Sequence, residues 1–295
     1  MARNDIGIFS GAKKDRRKVT MVTCYDYSMA RVVEQTGIDA VLVGDSLGMT
    51  MLGHTNTLGV TMDDVVRATQ AVVRGTTRPL VVADMPFLSY QASFEEGFRN
   101  AGRLVSEGGA NAVKLEGATP ATVNLVAELV THGIPVVGHL GLTPQSVNRL
   151  GGFKTQAKTM DDIALLLLSC ERLADTGISA VVLECVPAEV AQHITLTFPF
   201  ATIGIGSGPH CDCELQVLHD VLGLTEKSYR HAGCYMDGFG LAAKALAAFD
   251  AEAKARKFPG PDACEHVDEN TIGSAENLLD DLFAGYLDPE DDIDN

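Results

Sequence analysis

No stretch of the chain holds the roughly 18 to 20 uninterrupted apolar residues that a membrane-spanning helix requires, so no membrane partner is expected. Residues 1–10 also lack the apolar core of a secretory signal, which points to a cytoplasmic location. Basic residues are scarce: 23 Lys and Arg against 39 Asp and Glu leave a formal charge of −16. A nucleic-acid surface needs clustered cations to neutralise phosphates, and the one basic patch is short, from Lys13 to Lys18. That patch reads as a solvated N-terminal segment. The seven cysteines are odd in number and lack the dense spacing of a disulfide-stapled secreted domain, which fits a reducing compartment, and most of them read as core fillers. Part of the acidic excess lies in residues 280–295, which contain no Lys or Arg, and residues 289–295 are expected to be disordered.

What the chain does hold is apolar periodicity. β-branched, nearly continuous runs predict strands at residues 19–25, 40–45, 80–85, 112–117, 135–140, 180–185 and 201–205, with a weaker eighth at 215–218. Helical spacing falls between them, at 28–36, 62–74 with Thr61 as N-cap, 94–107, 120–131, 160–176 and from Pro187. Residues 46–60 and 141–158 are long polar loops, which in a compact domain tend to be functional. This alternation predicts a (β/α)8 TIM barrel, with a doubly wound open sheet as the alternative. The barrel is expected to occupy residues 1–279, least clearly over 225–279, with 280–295 as an acidic tail.

Five successive strands end on ionisable residues: Asp45, Asp84, the pair Lys114 and Glu116, His139, and Glu184. In a barrel these strand ends gather at one mouth. Lys114 and Glu116 stand two residues apart and share one face. Three carboxylates in a poorly solvated mouth repel unless something neutralises them. An oxygen-only set of Asp45, Asp84 and Glu116 suits Mg²⁺ or a similar hard divalent ion, with Lys114 adding positive charge for an anionic substrate. Such sites polarise a carbonyl so that the adjacent carbon loses a proton to a nearby base.

Two other motifs point to less. The glycine run from Gly204 to Gly208 has the wrong spacing for a dinucleotide fingerprint and reads as close backbone approach at the mouth. His210-Cys211-Asp212-Cys213 has no second ligand pair at zinc spacing.

Several segments carry a resemblance. Thr23 with Tyr25-Asp26-Tyr27, Val43-Gly44-Asp45-Ser46-Leu47-Gly48-Met49, Val82-Ala83-Asp84-Met85-Pro86-Phe87, Val113-Lys114-Leu115-Glu116-Gly117, Gly138-His139-Leu140-Gly141-Leu142-Thr143-Pro144-Gln145 and Val182-Leu183-Glu184-Cys185-Val186-Pro187 resemble the ketopantoate hydroxymethyltransferase family. The likeness runs from about Lys18 to Leu224 and fades beyond Thr225. It implies a barrel of the phosphoenolpyruvate/pyruvate type that moves a one-carbon unit from 5,10-methylenetetrahydrofolate to 3-methyl-2-oxobutanoate in pantothenate and coenzyme A synthesis. It also implies a homo-oligomer, typically a homodecamer. By its motifs Asp45, Asp84 and Glu116 match Mg²⁺ ligands, Ser46 and Lys114 substrate contacts, and Glu184 the proton acceptor, while His139 lines the same pocket. Two competitors stay open: an aldolase or lyase acting on another 2-oxo acid, either metal-dependent or of the Schiff-base kind with Lys114 as nucleophile, and a catalytically silent metabolite-binding barrel.

Overall fold

Parallel pairing closes the sheet on itself. In the computed structural model, which describes residues 3–225 and 232–286, eight strands pair in chain order: β1 (Val19–Thr23), β2 (Ala40–Val43), β3 (Leu80–Asp84), β4 (Ala112–Glu116), β5 (Val136–Gly141), β6 (Ala180–Glu184), β7 (Ala201–Ile205) and β8 (Cys213–Gln216). β8 pairs with β1, so the fold is the closed (β/α)8 barrel and not the open sheet. The chain divides into two compact units, Met1–Phe239, which holds the barrel, and Gly240–Asn295.

The helices of the first unit are α1 (Gly7–Asp15), α2 (Tyr27–Glu34), α3 (Leu47–Thr50), α4 (Met62–Gly75), α5 (Phe94–Ser106), α6 (Pro120–Thr131), α7 (Val147–Leu150), α8 (Met160–Ala174), α9 (Ala188–Thr197) and α10 (Leu218–Val221). Their starts follow local chemistry. Thr61 and Asp64 form a reciprocal capping box at α4, and Thr119 caps α6 ahead of Pro120. α11 (Gly238–Lys254) begins at the end of the first unit, and α12 (Glu269–Tyr286) lies in the second. α12 runs through position 280, where the acidic tail was expected to begin. Residues 289–295 lie outside the described residues.

Strand parity sorts the core into two. Outward residues such as Val41, Val81, Val113, Val181 and Leu183 join the helices in one cluster. Inward residues such as Met21, Leu42, Val82, Val137, Val182 and Ile203 form a second inside the barrel. The inward position that opens β2, β4, β6 and β7 is alanine in each case: Ala40, Ala112, Ala180 and Ala201. These small side chains leave room that Phe9 fills, fully buried, with Ala12 beside it. α1, which the periodicity does not predict, therefore plugs the barrel where the strands begin.

This corrects the reading of residues 13–18 as a merely solvated segment. Lys13 donates to the Thr195 carbonyl and pairs with Asp212 at 3.5 Å. Lys18 donates to the Cys211 carbonyl at 2.8 Å. The glycine run behaves as expected for close approach: Gly208 has φ 77°, and a Cβ there would lie 2.5 Å from that of Ala188.

Candidate active site

The same parity that points Leu80, Ala112, Val137 and Ala180 inward carries Asp84, Lys114, Glu116, His139 and Glu184 to the inside at the other end of the barrel. Asp45 arrives differently. It lies beyond the end of β2, after Gly44, and its backbone N–H donates to Asp84 Oδ2 at 3.1 Å. All seven residues singled out in the sequence meet at this mouth.

Two charge groupings result. Lys114 donates to Asp84 Oδ1, a fully buried ion pair set by the β3–β4 register that places the two residues side by side. His139 stands between two carboxylates, with Nδ1 3.3 Å from Glu116 Oε1 and Nε2 3.2 Å from Glu184 Oε2. Both contacts are short enough for ion pairing but lack hydrogen-bond geometry, which leaves Glu116 Oε1 and both imidazole nitrogens without a hydrogen-bond partner. Glu184 is the more accessible carboxylate, its side chain 18% exposed against 4% for Glu116. Ser46 shares a 2.8 Å hydrogen bond with the Tyr25 hydroxyl.

Carboxylates outnumber cations at the mouth: Asp45, Asp84, Glu116 and Glu184 face Lys114 and His139. Burial, then the Asp84 and Glu116 charges, push the Asp45 carboxyl up to about 8, against the opposing pull of Lys114. Burial and Lys114 pull His139 down, but Glu116 and Glu184 outweigh them and raise it to about 9. Burial likewise opposes the charged form of Lys114, and Asp84, Glu116 and Asp45 more than compensate, holding its pKa above the ordinary value. A lysine held charged in this way is poorly suited to attack a carbonyl.

Two residues without an assigned role in the sequence reading complete the site. Gln145, in the short 3₁₀ turn Pro144–Ser146, donates from Nε2 to Asp45 Oδ2 at 3.0 Å and from its backbone N–H to Glu116 Oε2 at 3.0 Å. The Tyr90 hydroxyl accepts from Glu116 N at 3.0 Å and lies 3.1 Å from Gln145 Oε1. Gln145 belongs to a motif quoted above, yet an uncharged amide in a loop gives no charge signal. Tyr90 has no signal in pattern or spacing.

Hard oxygen donors, the unpartnered Glu116 Oε1 and the raised Asp45 carboxyl all fit a divalent cation. Among the described residues no three His, Cys, Asp or Glu side chains converge into a ready-made cage. Mg²⁺ is commonly held by one or two carboxylates, with the remaining oxygens from substrate and water.

Comparison with known proteins identifies the lineage. Residues 4–261 match the profile described as ketopantoate hydroxymethyltransferase. The chain belongs to the ketopantoate hydroxymethyltransferase family. The match extends beyond both limits of the resemblance read from the motifs, Lys18 and Leu224. The 3-methyl-2-oxobutanoate hydroxymethyltransferase of Carboxydothermus hydrogenoformans is 48% identical over 88% of this chain and 94% of its own. That of Acetivibrio thermocellus is 46% identical over 93% and 97%, and that of Pyrobaculum neutrophilum 48% over 87% and 96%. As a member of the ketopantoate hydroxymethyltransferase family the chain is an enzyme, a transferase of pantothenate biosynthesis.

Solved structures share the fold at low identity. A phosphonopyruvate hydrolase superposes with a TM-score of 0.58 at 10% identity, covering 98% of this chain and 100% of that one. A 2,3-dimethylmalate lyase of the PEP mutase/isocitrate lyase superfamily gives 0.54 at 14%, covering 93% and 97%. At these identities the likeness is one of fold.

Among the described residues no helix is long and apolar enough to cross a membrane.

Proposed function

We propose that the enzyme transfers a hydroxymethyl group from 5,10-methylenetetrahydrofolate to 3-methyl-2-oxobutanoate, giving 2-dehydropantoate, with a divalent cation such as Mg²⁺ at the acidic mouth. The observation that carries this reading is the division of the carboxylates. Asp84 accepts from the Asp45 backbone N–H and from Lys114, while Glu184, the more accessible carboxylate, touches neither and contacts His139 on the side away from Glu116.

Asp45, Asp84 and Glu116 would hold the cation, which supplies positive charge against the charge developing on the keto oxygen. Lys114, fixed by Asp84, presents a second cation to the substrate carboxylate. Ser46, oriented by the Tyr25 hydroxyl, offers a hydrogen bond beside Asp45. Glu184 accepts the proton from the branched carbon next to the keto group, and its contact with His139 keeps it clear of the cation wall. That carbon then bonds to the methylene carbon of the donor, whose two carbon–nitrogen bonds break in turn; water supplies the hydroxyl oxygen, and the proton held by Glu184 and the second proton of that water go to the two nitrogens, releasing tetrahydrofolate. His139 spreads charge between Glu116 and Glu184 as the proton arrives. The Lys114–Asp84 ion pair counts against the Schiff-base reading. We extend the proposal to a cytoplasmic homo-oligomer, the homodecamer that the family resemblance implies. All seven cysteines are free thiols, in keeping with a reducing compartment.

Exchange of the substrate's C3 hydrogen in D₂O, followed by NMR without folate, tests the assignment. Glu184→Gln should keep keto-acid binding and lose exchange by about 10²- to 10⁴-fold. Asp84→Asn should lose both. Exchange at the wild-type rate in Glu184→Gln would remove Glu184 as the base.

A further inference from the structure

One uncharged side chain touches more of the mouth than any of the charged ones. Gln145 Nε2 has two hydrogens, and they go to Asp45 Oδ2 at 3.0 Å and to the Met85 carbonyl at 2.9 Å. Its Oε1 receives the Gln91 side-chain amide at 3.1 Å and faces the Tyr90 hydroxyl at 3.1 Å. The amide can sit only this way round. Flipped, it would set an oxygen against two acceptors and an NH₂ against the Gln91 donor.

The backbone of the same residue is equally committed. Gln145 lies in the first turn of a 3₁₀ segment, where N–H groups have no partner within the turn, and its N–H goes to Glu116 Oε2. The residue is buried, and every polar group of its side chain is used.

We infer that Gln145 is the positioning residue of the acidic mouth, fixing which oxygens of Asp45 and Glu116 remain free to face a divalent cation and the 2-oxo acid. Asp45 Oδ2 is taken by the amide and Glu116 Oε2 by the N–H, so Oδ1 and Oε1 are the oxygens left without a hydrogen bond, Oε1 with His139 Nδ1 at 3.3 Å beside it. A single residue on the loop after β5 thus sets carboxylates from the ends of β2 and β4, with a third tie to the end of β3 at Met85. Tyr90 supports it: its hydroxyl accepts from Glu116 N and can give its one proton to Gln145 Oε1 or to the Glu116 carbonyl at 3.2 Å.

The inference rests on the cation reading above, and the test separates the two. Free Mn²⁺ is titrated by EPR against the full-length wild type, Gln145→Met and Tyr90→Phe, with thermal midpoints recorded alongside. Gln145→Met keeps length and apolar volume but removes the amide. Loss of a group that orients metal ligands typically weakens metal binding about 10- to 100-fold, and that is the change expected for Gln145→Met. Tyr90→Phe should shift affinity in the same direction by a smaller factor. A purely structural role would lower the midpoint of the metal-free protein and leave Mn²⁺ affinity unchanged in whatever remains folded, and that result overturns the inference. If Gln145→Met does not fold, Tyr90→Phe decides by the same criterion. Wild type that takes up no Mn²⁺ defeats the cation reading and this inference together, whereas wild-type uptake matched by both variants defeats this inference alone.

Discussion

Gly141 shows how narrowly the proposed base is held. It has φ 87°, a conformation that costs L side chains steric strain, and a Cβ there would lie 2.4 Å from the Glu184 carbonyl and 2.6 Å from Val186. Gly141→Ala is therefore expected to push apart the ends of β5 and β6 and to lower proton exchange far more than keto-acid binding, measured by NMR exchange and by titration. His219 carries a second expectation. Its ring lies 5.5 Å from that of Tyr25, its Nδ1 is buried without a partner, and burial lowers its pKa against the opposing pull of Asp26 and Asp220. The unfolded chain protonates His219 near 6.5 while the folded chain resists, so this contribution is present above that value and is lost as pH falls below it. In His219→Phe the thermal midpoint should decline less steeply than in wild type between about pH 7 and pH 5. Parallel slopes would show that His219 stays uncoupled from folding. The charged residues of the mouth were legible because a period of two and a shared strand end place them together. Gln145 and Tyr90 were not, because an amide or phenol in a loop becomes functional only through neighbours that come from other strands.

Among the elements, α1 shows what pattern reading misses. With Gly7, Gly11 and two lysines in nine residues it has little helical period, and its role is visible only beside the alanines that open four strands. Phe9→Ala should empty the space above Ala40, Ala112, Ala180 and Ala201. A large aromatic removed from a packed core typically costs about 3–5 kcal/mol, and denaturant unfolding should show a loss of that size with little change in substrate binding at the far end. A loss below about 1 kcal/mol, well short of that range, would mean that the segment sits loosely. The strands and the helices α4, α5 and α6 fall where apolar period and caps place them, to within two residues at each end. The two long loops contain α3, a 3₁₀ turn and α7, each too short for periodicity to register.

For the whole molecule, eight strand signals alternating with helices were enough to specify a closed parallel barrel, since that closure buries every strand on both faces. Residues 240–286 were less legible, because the motifs that carry the resemblance end before them. The plug formed by α1 has a kinetic consequence. A barrel stoppered where its strands begin has a single doorway, and both reactants must pass through it. In the reaction proposed above the 2-oxo acid would meet the groups at the strand ends, so it would take the inner berth and the bulkier one-carbon donor would dock behind it, last to enter and first to leave. Steady-state turnover should then follow a compulsory order, in which an inert analogue of the donor inhibits uncompetitively against the 2-oxo acid. A noncompetitive pattern would mean that the queue can form either way round.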